Sequence, residues 1–128
     1  MSELPPFAQQ VTFVYCTDLE ATCRFYREVM GLSEVLDQGA CRIFRVAGEA
    51  FLGLCQGEGP PARGITVTFV VDDVDAWYRH LVAQGVSTEG PPAENPRFKI
   101  YNFFARDPAG TRIEVQRFLD PAWPKPGT

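Results

Sequence analysis

The sequence predicts an α+β fold made of two β-α-β-β-β modules. Three features point to it. A strand followed by an aspartate-opened helix occurs twice: aligning residues 11–16 with 66–71 puts Asp18 on Asp73, Ala21 on Ala76 and Arg24 on Arg79. A single glycine- and proline-rich stretch, residues 57–64, divides the chain nearly in half. The segment Asp107-Pro108-Ala109-Gly110-Thr111-Arg112-Ile113-Glu114-Val115 is a turn followed by strict alternation, with Arg112, Glu114 and Gln116 on one side and Ile113 and Val115 on the other.

The elements follow in order. Residues 1–10, with Pro5-Pro6, are a polar lead-in, and residues 11–16 are rich in β-branched and aromatic side chains, the composition of a strand. Thr17 or Asp18 caps a helix that runs to about Met30 and ends at Gly31. Strands are expected near 33–37, 41–46 and 50–56, separated by Gln38-Gly39 and Gly48-Glu49. Module one thus spans about 9–56, the linker 57–64 and module two about 65–118. In module two, a strand over 65–71 leads into Asp72-Asp73-Val74-Asp75, which opens a helix ending at Gln84-Gly85. A short strand is expected near 86–89, then turns over 90–96, then strands near 98–105 and 111–118. The tail, 119–128, contains Pro121, Pro124 and Pro126 and cannot be regular structure; it is loose or lies on a neighbouring subunit.

Composition narrows the function. With 128 residues the chain is large enough for a real core. Its net charge of −4 argues against nucleic acid as a partner and suits a neutral or cationic ligand. No apolar run is long enough for a membrane span, and Met1-Ser2-Glu3-Leu4 predicts no signal peptide. The four cysteines, Cys16, Cys23, Cys41 and Cys55, form no close Cys-x-x-Cys pair, so the expectation is reduced thiols in a cytoplasmic core. No nucleophile–base pair is evident, because the single histidine, His80, lies mid-helix.

Asp107-Pro108-Ala109-Gly110-Thr111-Arg112-Ile113-Glu114-Val115 resembles the last hairpin of the vicinal oxygen chelate superfamily, which includes glyoxalase I, extradiol dioxygenases and bleomycin-resistance proteins. Phe25-Tyr26-Arg27-Glu28-Val29-Met30-Gly31-Leu32 is similar to its first-helix signature. The resemblance implies sheets cupped around a ligand cavity, helices outside, and a homodimer. It also implies four metal-donor positions: Val11, Gly53, Thr66 and Glu114. Only Glu114 offers a good ligand, so no metal and no cofactor are expected.

Alternation then assigns the cavity wall. Val11, Phe13 and Tyr15 share a face, as do Thr66 and Thr68, and Arg112 and Glu114, while Phe51 faces the same space from module one. Phe44, Tyr101 and Phe103 are further candidate lining residues, on strands whose parity the sequence leaves open. The expectation is an aromatic pocket with a few polar handles, the makeup of a small-molecule site. Glu114 is either a ligand-facing carboxylate or the partner of Arg112 or another arginine. The resulting functional expectation is metal-independent binding of a small aromatic or cationic compound. The alternative is a metal-dependent lyase, dioxygenase or thiol transferase with an atypical site centred on Glu114.

Overall fold

The structure, a computed structural model, describes residues 4–126. The chain divides between Ala62 and Arg63 into two compact units. Each is a β-α-β-β-β module.

Unit one contains β1 (Gln10–Cys16), α1 (Leu19–Arg24), β2 (Ser33–Asp37), β3 (Cys41–Ala47) and β4 (Ala50–Gln56). Its sheet has the order β1-β4-β3-β2, with β1 parallel to β4 and the other pairs antiparallel. Unit two contains β5 (Val67–Val70), α2 (Val74–Ala83), β6 (Ala93–Asn95), β7 (Ile100–Arg106) and β8 (Arg112–Phe118). Its order, β5-β8-β7-β6, repeats the same mixed pattern. In each unit the strand that opens the module lies beside the strand that closes it.

The repeat extends to backbone angles. Asp18 caps α1 at φ −115°, ψ 87°, accepting from Ala21 N at 3.1 Å; Asp73 caps α2 at φ −112°, ψ 85°, accepting from Ala76 N at 3.0 Å. A carboxylate at the cap satisfies an orphan N–H and meets the positive end of the helix dipole. The first helix is not uniform: after Arg24 it widens into a π-helical segment, Phe25–Val29, with Met30 N bonding Phe25 O at 3.0 Å. That turn delivers Phe25 and Tyr26 to the core, where their rings meet edge to face at 5.0 Å.

One face of each sheet carries the core. In unit one Phe44, Leu52 and Leu54 are buried, with Cys23, Tyr26 and Met30 from the helical segment, and α1 packs on β4. In unit two Phe69, Phe103, Ala105, Ile113 and Val115 are buried with Val74 and Leu81 of α2, which packs on β7 and β8. Each fully buried aliphatic side chain contributes about 1.5–3 kcal/mol.

Three expectations change. No strand forms over 86–89, where the structure has a single bridge between Thr88 and Ala105; the short strand lies instead at Ala93–Asn95. Gly90, at φ 116°, and the donor-less Pro91 and Pro92 interrupt the ladder between them. The tail packs on its own unit: the Trp123 ring stacks on Phe118 at 3.8 Å. The cysteines are not all reduced. Cys41 and Cys55 form a disulfide, while Cys16 and Cys23 lie outside it and are buried. Among the described residues no helix is long and apolar enough to cross a membrane.

Candidate functional site

The turn Asp107-Pro108-Ala109-Gly110 sets the start of β8. Asp107 Oδ1 accepts from Ala109 N and Thr111 N, each at 2.9 Å, and Gly110 takes φ 85° to close the turn. Register then fixes which side chains meet. Thr68 on β5 and Phe104 on β7 both pair with Glu114, and Val70 and Asn102 both pair with Gln116. These side chains share the face of the sheet opposite α2.

Glu114 is buried, and both of its oxygens are engaged. Oε1 accepts from the Thr68 hydroxyl at 2.9 Å and Oε2 from Asn102 Nδ2 at 2.7 Å. Both donors are neutral. Among the described residues no Lys, Arg or His forms an ion pair with Glu114. Arg112, the arginine considered as its partner, turns to Glu89 instead. Its Nε and Nη2 donate to Glu89 Oε2 at 3.1 Å and Oε1 at 2.9 Å, and its guanidinium carbon stands 3.5 Å from the Phe104 ring centroid. Arg106 adds a second, longer contact to Glu89 at 3.5 Å. The hydrogen bonds from Arg112 hold the Glu89 carboxyl below its ordinary value, outweighing partial burial.

Unit one presents the corresponding face with different chemistry. The row Phe13–Gly53–Ile43 stands where unit two has Thr68–Glu114–Phe104. A β-carbon on Gly53 would lie 2.3 Å from Phe13 Cδ1 and 2.5 Å from Cε1, so the Phe13 ring occupies the space that a side chain at 53 would need. The adjacent rows are Val11–Phe51–Arg45 and Tyr15–Cys55–Cys41. Arg45 stands 4.8 Å above the Phe51 ring. Phe13 and Tyr15 remain 46% and 65% exposed, high values for aromatic rings on a sheet face.

The structure brings together Thr68, Glu114 and Arg112 on one sheet face, and Phe13, Tyr15 and Phe51 on another. Thr66 lies exposed, just before β5. Three candidates fall on the other side of their strands. Phe44 pairs with Leu52 and is fully buried in the core. Phe103 pairs with Val115 and meets Tyr78 of α2 edge to face at 5.3 Å. Tyr101 donates its hydroxyl to Asp75 of α2 at 2.5 Å, and that bond holds its proton above the ordinary range. On β7 the Glu114 face carries Asn102 and Phe104 in place of Tyr101 and Phe103, and on β3 the Gly53 face carries Ile43 in place of Phe44.

The donor set for a metal is sparse. Val11, Gly53 and Thr66 supply no strong ligand, and among the described residues no three His, Cys, Asp or Glu side chains converge. Elsewhere in unit one, a depression of about 510 Å³ lies at the start of α1, lined by Asp18, Glu20, Gly39, Arg42 and Gln56 among others. It includes none of the predicted site residues.

Comparison with known proteins is consistent with this architecture. The chain is similar to the crystal structure of a lactoylglutathione lyase from Agrobacterium tumefaciens, with 28% identity and a TM-score of 0.74 over 94% of this chain and 100% of that one. It also resembles a glyoxalase/bleomycin resistance protein/dioxygenase from Nocardioides, with 22% identity and a TM-score of 0.75 over 98% of this chain and 91% of that one. A family enzyme from Burkholderia phytofirmans PsJN shares 19% identity at a TM-score of 0.71, over 85% of this chain and 97% of that one. Comparison with curated proteins gives no match. The sequence profile of the Glyoxalase/Bleomycin resistance protein/Dioxygenase superfamily matches residues 8–115, and the chain belongs to that superfamily.

Proposed function

We propose that this protein binds a small aromatic or cationic compound without a metal, in the cytoplasm and as a homodimer. The observation that carries the reading is the state of Glu114: a buried carboxylate that accepts from a hydroxyl and an amide and has no ion-pair partner among the described residues. A buried anion with only neutral donors favours a cation arriving beside it. Within unit one, on its own sheet face, the exposed rings of Phe13 and Tyr15 supply apolar and cation-attracting surface of the kind small-molecule sites use. The dimer is supported by the edge strands β1, β2, β5 and β6 in the two sheets, and by exposed apolar side chains such as Val70.

A second reading is a metal-dependent lyase, dioxygenase or thiol transferase centred on Glu114. Likeness to the lactoylglutathione lyase favours it. Against it stand the donor positions Val11, Gly53 and Thr66, and the prior engagement of both Glu114 oxygens. Thermal melts with Zn²⁺, Mn²⁺, Fe²⁺ or Ni²⁺ separate the two. A micromolar site would add about 4 kcal/mol at millimolar metal. The binding proposal expects little shift with metal. It also expects stabilisation by a panel of aromatic cations, lost in Glu114→Gln. A large metal shift that vanishes in Glu114→Ala would replace it with the second reading.

A further inference from the structure

We propose that Cys41 and Cys55 form a reversible thiol–disulfide couple, a redox switch set into the sheet face of unit one that carries Phe13 and Tyr15. The pairing follows from the ladder. Gln56 N donates to Ala40 O at 2.7 Å, the bond that brackets a non-hydrogen-bonded pair, and Cys41 and Cys55 are that pair. Side chains approach most closely at such positions, and here the α-carbons are 4.1 Å apart. The same register places Tyr15 opposite Cys55 on its other side. The couple therefore joins the first residue of β3 to the penultimate residue of β4, closing the open end of the hairpin beside an exposed aromatic ring.

The two sulfurs differ in access. Cys55 is 3% exposed, whereas Cys41 is only partly covered. An external thiolate therefore attacks Cys41 Sγ, forming a mixed disulfide there and expelling Cys55 as a thiolate that takes up a proton. A second external thiol, such as glutathione, attacks its own kind in the mixed disulfide and releases Cys41. Two external thiols become one external disulfide, and the protein gains two electrons and two protons. The remaining cysteines do not compete, because Cys16 and Cys23 are 4% and 0% exposed, and burial raises the Cys23 thiol further above its ordinary value. A reversible couple also suits the cytoplasmic location proposed above, where a permanent disulfide is rare.

The test needs no ligand, so its outcome is independent of the binding proposal. The purified full chain is unfolded in denaturant with iodoacetamide and weighed intact. Without reductant the proposal expects two alkylated cysteines, and after dithiothreitol four. Incubation across a series of glutathione redox ratios should interconvert the two species reversibly. Hydrogen exchange should quicken on reduction at residues 38–42 and 55–57, and the melting temperature should fall by several degrees. Cys41→Ser, at a partly exposed position, should melt alike with and without reductant. Four alkylated cysteines in the air-oxidised protein would overturn the proposal. So would a disulfide that no glutathione ratio reduces in the folded chain, or an unchanged exchange pattern.

Discussion

The Phe13 ring covers Gly53 so closely that a β-carbon there would stand 2.3 Å from Cδ1. The pair matches Thr68 and Glu114 in the other unit, where the strand partner is small and the side chain at the second position is long. The two modules have exchanged which strand fills the row. Gly53→Ala forces the ring aside and should destabilise by about 1–2 kcal/mol. In the Phe13→Ala background the same substitution should be neutral or favourable, since a strand glycine otherwise weakens its strand. Urea unfolding of the four proteins measures the coupling, expected near 1 kcal/mol; additive effects would mean that the ring moves away freely.

This relationship also marks the limit of what the sequence makes legible. The strand–helix repeat and the last hairpin are written in local patterns, with a cap, a turn and an alternation, and each forms where expected. Parity on β7 is not written locally. Ile100-Tyr101-Asn102-Phe103-Phe104-Ala105-Arg106 has aromatic or apolar residues on both faces, so no period of two selects one. Only the pairing of Asn102 with Gln116 and Phe104 with Glu114 settles it. The Cys41–Cys55 pairing was hidden for a related reason. A separation of 14 residues matches no short motif and becomes a contact only through the β3–β4 register.

Asp107 carries the turn that aims β8. Its carboxylate holds the amides of Ala109 and Thr111, and the side chain is buried. Asp107→Ala leaves two N–H groups without an acceptor and should cost about 1–3 kcal/mol in chemical denaturation. Asp107→Asn keeps an acceptor oxygen and should recover most of that loss. Equal destabilisation by both would show that the charge, not the hydrogen bonds, holds the turn.

Glu89 gives stability a dependence on acid. Its folded carboxyl titrates below the ordinary value of 4.5 because Arg112 donates to both oxygens. A depressed carboxyl stabilises the fold above its unfolded value and loses that contribution as pH falls through the folded one. Both side chains are 36% exposed, so screening limits the effect to about 0.5–1 kcal/mol. Wild type should therefore lose more stability than Glu89→Gln between about pH 5 and pH 3. Parallel acid curves for the two proteins would show that the pair contributes nothing in solution.

The Glu114 environment separates a ligand-facing carboxylate from a structural ion pair. Were Arg112 its partner, Glu114→Gln would strand an arginine, and adding Arg112→Met would rescue the loss. Arg112 is instead bound to Glu89 and stacked on Phe104, so the two substitutions should add without rescue. Glu114→Gln keeps both existing contacts. The Thr68 hydroxyl turns to accept from the new amide, and Asn102 Nδ2 donates to the remaining carbonyl oxygen. Its stability should stay within about 1 kcal/mol of wild type, while Glu114→Ala leaves both partners unmatched and should cost about 1–3 kcal/mol. Calorimetry with the aromatic cations that stabilise wild type should then show binding lost in Glu114→Gln even though the protein remains folded. Undiminished binding in that variant would remove Glu114 from the site and leave Thr68, Asn102 and Glu114 as an internal polar cluster of the sheet.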